Sequence, residues 1–118
     1  MTGAIVISWG PPVRGREGKG LDVFGRAVEY FDDLAKAGRI HGHREFFSIQ
    51  GVNGFLIVEG DLAELLKIQA EDATLQLLMA AGAVVEDFEL CVYEGGSEAS
   101  LREGITRYAA TLDDLGYL

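Results

Sequence analysis

The chain has 118 residues, 48% of them hydrophobic, with a mean hydropathy of +0.15, enough for one globular domain spanning residues 1–118 and too little for two cores. A net charge of −9 excludes nonspecific nucleic-acid binding, because phosphates must be met by clustered Lys and Arg. No apolar run approaches the ~20 residues of a membrane-spanning helix, and the opening MTGAIVIS lacks the basic segment of a signal peptide, so the expected location is the cytoplasm, with no membrane partner.

In chain order, Ala4 to Trp9 is a short β-branched run ended by Gly10-Pro11 and reads as a buried strand. The segment Gly10 to Gly20, GPPVRGREGKG, then holds four glycines, both prolines and three cations, and reads as a loop. From Leu21, apolar residues recur at three- and four-residue steps in two adjoining stripes: Leu21, Phe24, Val28, Phe31 and Ala35, then Val23, Ala27, Tyr30 and Leu34. This predicts a helix closed by Gly38. Arg39 to Ile49 alternates in period two, and Asn53-Gly54 marks a turn before the strand Phe55 to Glu59, so the two strands form a hairpin.

Asp61 followed by Glu64 is a capping-box arrangement that opens a helix. Its pattern runs to about Ala81, with a second start signal at Glu71-Asp72 and an end at Gly82. Val84 to Tyr93 reads as a fourth strand, in which the lone Cys91 is a packing residue rather than a nucleophile. Ser97 caps a last helix whose Leu101, Ile105, Tyr108, Leu112 and Leu115 form one seam. That seam is expected to pack on the body of the domain or on a neighbouring subunit.

The order β-α-β-β-α-β, with right-handed crossovers, gives a ferredoxin-like antiparallel sheet of strand order 4-1-3-2 plus a C-terminal helix. Its central strands are apolar on both alternating sets, Ile5 and Ile7 against Ala4 and Val6, and Leu56 and Val58 against Phe55 and Ile57. A sheet apolar on both faces needs two covers, and the helices of the repeat supply one. In these features the chain resembles the dimeric α/β barrel superfamily, in which two such sheets pack face to face. The resemblance implies a homodimer. It also implies a range of activities, from ligand binding and haem chemistry to cofactor-independent oxygenation or isomerisation of small molecules, without assigning a residue to any of them.

Two stretches could carry chemistry. Residues 1–58 hold seven cations against six acids, and residues 59–118 three against thirteen, so an anionic ligand is drawn to the first half. The Gly10–Gly20 loop is longer than the direct passage from Gly60 into the second helix. It is expected to act as a lid that binds a carboxylate or phosphate through a helix N-terminus with Arg14, Arg16 and Lys19, while Trp9 lies beside it. It is no Walker loop, since Arg16 and Glu17 stand where Lys and Ser or Thr are required. The second stretch is His41-Gly42-His43-Arg44-Glu45, whose alternate residues share one strand face, which makes His41 or His43 a candidate general base. Strands one and two run parallel in this fold, so the loop at the end of strand one and the histidines at the start of strand two belong to different ends of the sheet. Asp32-Asp33 and Asp113-Asp114 read as solvated helix surface.

The expected protein is therefore a dimeric small-molecule-binding or accessory protein with an apolar cavity and a basic loop at its rim, taking a small anionic or aromatic ligand and neither cofactor nor metal. The alternatives are a cofactor-independent monooxygenase or isomerase acting on a small, largely apolar anionic substrate, and a structural module that binds a partner helix along its last seam.

Overall fold

Alternation in the sequence becomes four strands, and the three- and four-residue periods become four helices. The computed structural model describes residues 1–118. Its elements run β1 (Thr2–Trp9), α1 (Glu17–Lys36), β2 (Gly42–Phe47), β3 (Gly54–Asp61), α2 (Leu62–Gln69), α3 (Asp72–Val84), β4 (Glu89–Glu94) and α4 (Glu98–Asp114). The sheet order is β2-β3-β1-β4, every pair antiparallel, which is the expected order read from the other edge. This is a ferredoxin-like fold with an added C-terminal helix. No helix is long and apolar enough to cross a membrane.

Register sorts the apolar residues onto two faces. Ile5 stands opposite Val58 and Ile7 opposite Leu56; these four turn toward the helices and are buried with Phe31, Leu34, Leu65 and Ile68. Each such side chain contributes roughly 1.5–3 kcal/mol by leaving water. The other face carries Val6 opposite Ile57 and Phe46 opposite Phe55. Phe46 and Phe55 remain about two-fifths exposed and Tyr93 is half exposed, so this second face has no cover within the chain.

The terminal helix does not supply one. Ser97 caps it by accepting the Ser100 N–H, Ser100 Oγ accepts the Thr2 N–H at 2.7 Å, and Arg107 donates to Glu94 at 2.7 Å. Beyond these ties α4 projects. Leu101, Ile105, Tyr108 and Leu115 are all more than half exposed, and the radius of gyration, 16.4 Å, exceeds the ~13.5 Å of a compact chain of this length.

Several boundaries differ from the sequence reading. α1 begins at Glu17 rather than Leu21, because Glu17 to Gly20 wind as a solvent-facing turn with no apolar residue to reveal it; the Gly20 N–H donates to the Arg16 carbonyl at 2.8 Å. Lys19 is therefore helical, and the loop proper is Gly10 to Arg16. Within α1 the buried residues are Val23, Phe31 and Leu34, while Leu21 is 72% exposed. β2 starts at Gly42 and leaves His41 outside the strand. α3 continues past Gly82 to Val84, and β4 starts only at Glu89. The second start signal does mark a break. Arg39 holds it by donating to Glu64 of α2 and to Glu71 at the entry to α3, both at 2.8 Å.

Candidate functional site

The break between α2 and α3 opens a space in the layer. α2 lies on β1 and β3, whereas α3 leans on α1 instead of the sheet, where the Thr74 hydroxyl meets that of Tyr30 at 2.6 Å. Between the sheet, α1 and α3, at the end of β1, lies a cavity of about 300 Å³, large enough for a small ligand. It is on the helix side of the sheet, not between the sheet and a second cover.

Aromatic rings stand among aliphatic side chains in its wall. Trp9, Phe24 and Phe47 meet in two edge-to-face contacts and one tilted contact with centroid separations of 4.9–6.0 Å, and Phe31 and Phe88 are the other rings of the lining. Gly54 makes room for the indole, since a Cβ there would stand 2.8 Å from Trp9 and 2.6 Å from the Phe46 carbonyl. Leu21, Phe47 and Val52 line the cavity and are each more than half exposed. They place its mouth between the start of α1 and the β2–β3 turn.

Sixteen of the 22 lining residues are hydrophobic, and only Glu17 and Asn53 among the others carry a polar side chain beyond the backbone. Nothing in the spacing of the sequence marks either one. Asn53 reads only as a turn residue, and Glu17 only as the residue that spoils a Walker loop. Glu17 is held in place by its own loop, because the Gly15 N–H donates to its Oε1 at 3.1 Å. Its own backbone N–H and that of Gly15 keep its carboxyl below the usual carboxylate range.

Of the residues expected to bind ligand, Trp9 lines the cavity and Arg14, Arg16 and Lys19 do not. Arg16 donates to the Ala83 carbonyl near the end of α3 at 2.6 Å, where a cation complements the helix dipole. The loop is a strap rather than a free lid: Gly10 and Val13 donate to the carbonyls of Glu86 and Val84, and Glu86 donates back to Pro11. It lies beside Trp9, as expected, and is bonded along Val84 to Glu86.

The histidines stand apart from the cavity. His41 is exposed. His43 faces inward from β2 with its side chain only 9% exposed, its ring 6.0 Å from that of Phe31, which separates it from the cavity. Its Nε2 bonds Asp32 at 2.6 Å and its Nδ1 bonds Glu45, so Asp32, expected as bare surface, ties α1 to the edge strand. Burial opposes charge on the ring, but the two carboxylates outweigh it and raise the pKa. Both ring nitrogens face carboxylates, so neither is directed at the cavity, and in its protonated form the ring donates both and has no lone pair for a general base. No group of three His, Cys, Asp or Glu side chains has metal-ligating geometry.

This clamp predicts a pH dependence. A folded-state pKa raised above the unfolded value stabilises the fold fully below about 6.5 and loses that contribution as pH rises through the folded value. His43→Ala is expected to cost about 2 kcal/mol at pH 5.5, from two charge-assisted hydrogen bonds. At pH 9 the cost is expected to be clearly smaller. Urea denaturation at the two pH values reads the difference, and an equal loss at both would show that the ring acts by packing alone.

Comparison with solved structures identifies the same architecture. SnoaB, a cofactor-independent oxygenase from Streptomyces nogalater, matches in a variant form with a TM-score of 0.64 at 15% identity, over 81% of this chain and 94% of that one. A proposed antibiotic biosynthesis monooxygenase from Deinococcus radiodurans matches with a TM-score of 0.61 at 15% identity, over 82% and 94%. A dimeric protein of unknown function and ferredoxin-like fold from Bacteroides fragilis matches with a TM-score of 0.56 at 15% identity, over 79% and 96%. At these identities the likeness is one of fold. No family model and no curated protein matches the sequence.

Proposed function

We propose that the chain is a homodimeric small-molecule-binding protein whose aromatic-walled cavity takes one planar, largely apolar molecule. The observation that carries this reading is the cavity itself: about 300 Å³, sixteen apolar lining residues, and a mouth rimmed by exposed Leu21, Phe47 and Val52. An apolar surface of this kind kept open to solvent gains free energy when a ligand covers it. The uncovered outer face of the sheet supports pairing with a second copy, as does the dimeric state of the Bacteroides fragilis protein of like fold. Exposed, unpaired Cys91 accords with a reducing cytoplasm.

A second reading, oxygenation or isomerisation of the bound molecule without a cofactor, draws support from the fold shared with SnoaB. In that case Glu17 and Asn53 are the side chains that reach the substrate's polar atoms, since His43 is already committed to Asp32 and Glu45.

Trp9 is the only tryptophan of the chain and stands in the cavity wall, so it reports binding directly. Naphthalene is expected to quench and shift its emission saturably, and an emission unchanged up to the solubility limit would remove the binding reading. Protein-dependent oxygen uptake with 1-naphthol as probe would favour the second reading over the first.

A further inference from the structure

We infer that the cavity selects a donor-bearing, non-anionic aromatic ligand, an amine or a hydroxyl compound, through the Glu17 carboxylate at its mouth. This rests on the cavity as a binding site and reverses the sign of the ligand that the basic loop suggests. Three observations converge on it.

Glu17 is the only ionisable side chain that lines the cavity. The loop cations, which would be needed to hold a carboxylate or phosphate, lie outside the lining, and Arg16 is engaged with the Ala83 carbonyl at 2.6 Å. An anion entering the mouth therefore meets a carboxylate in the lining and no cation there.

Glu17 is also fixed where it stands. The N-cap of α1, Arg16, makes no side-chain cap bond, but the loop just before it holds the chain's own carboxylate, the Gly15 N–H donating to Glu17 Oε1 at 3.1 Å. What remains for a ligand is the acceptor capacity of Glu17, because an ionised carboxylate offers about four lone-pair sites and donates nothing.

The wall has the same preference. The rings of Trp9, Phe24 and Phe47 stand in the lining, and any ring face turned to the ligand favours a cation or a polarised N–H over an anion. An ammonium or hydroxyl group at the mouth, with its ring among these three, satisfies both features together.

The test uses three probes of one shape, 1-naphthylmethylamine, naphthalene and 1-naphthoate, titrated against Trp9 emission at physiological salt and neutral pH. The amine is expected to bind about tenfold or more tightly than naphthoate, the scale of one near unit charge at a partly solvated mouth. Glu17→Gln, checked for an unchanged melting temperature, is expected to close most of that gap while leaving naphthalene unaffected. Naphthoate binding as tightly as the amine would overturn the inference while leaving the cavity as a site. A gap that persists in Glu17→Gln would overturn the role of this residue. If naphthalene fails to bind along with the others, the cavity reading falls and takes the inference with it.

Discussion

On the proposed dimer, Ile57→Lys is expected to leave the protein monomeric at concentrations where the parent chain is expected to sediment as a dimer. Ile57 is central on the outer face of β3, between Val6 of β1 and Arg44 of β2 in the register, with Phe46, Phe55 and Tyr93 exposed around it. A stable dimer hides about 800 Å² per partner, and an ammonium placed at its middle must be stripped of water without a partner charge. The dimer dissociation constant should rise by at least roughly thirtyfold, as for loss of a central anchor residue. The monomer itself should keep its melting behaviour, because in one chain this face is open to water and the lysine stem can lie along it. Sedimentation velocity decides the matter, and a variant that dimerises like the parent would move the interface elsewhere. The exposed seam of α4 would then be the first alternative.

Ala81→Phe is expected to weaken ligand binding strongly without unfolding the chain. Ala81 is on the part of α3 that leans away from the sheet, and its side chain borders the cavity. A phenyl group there fills space that a planar ligand needs, against a wall already made of aromatic rings. Naphthalene affinity read through Trp9 should fall by about tenfold or more, the scale of losing a ring's worth of apolar contact. Filling an empty apolar space also adds dispersion contacts that the void lacks, so the melting temperature should hold or rise. A variant that melts lower and still binds would show that α3 moves to reopen the site.

The two predictions draw on different faces of one sheet, which is how the fold divides its work. Inward residues of β1 and β3 build the core and, at the end of β1, the floor of the cavity. Outward residues of the same strands form an apolar face that the chain itself leaves uncovered. Period-two alternation makes this division unavoidable, since each strand that is apolar on both sets must be covered twice.

Fold and strand order were legible in the residues because their signals are local and repeated. Ile5 to Trp9 and Phe55 to Val58 are β-branched or aromatic runs, Gly38 and Ser97 mark helix ends, and right-handed crossovers leave one arrangement of the four strands. The unpaired outer face and the break at Glu71-Asp72 were legible for the same reason. The site was not, because its parts come from five places in the chain and share no period. Trp9 could be picked out as a residue beside the loop. Glu17 could not, since its meaning depends on a turn of helix that shows no apolar residue and on a cavity created by α3 leaving the sheet. His41, His43 and Glu45 looked like three groups on one strand face, yet the strand begins one residue after His41, and Asp32, eleven residues before His43, completes the cluster across the α1–β2 packing. The sequence by itself determined the order of helices and strands and which faces are apolar, since those follow from neighbours in the chain. Only the tertiary structure decided which charges meet, which cations turn outward and where an apolar layer stays unfilled, because each depends on how elements distant in sequence are packed together.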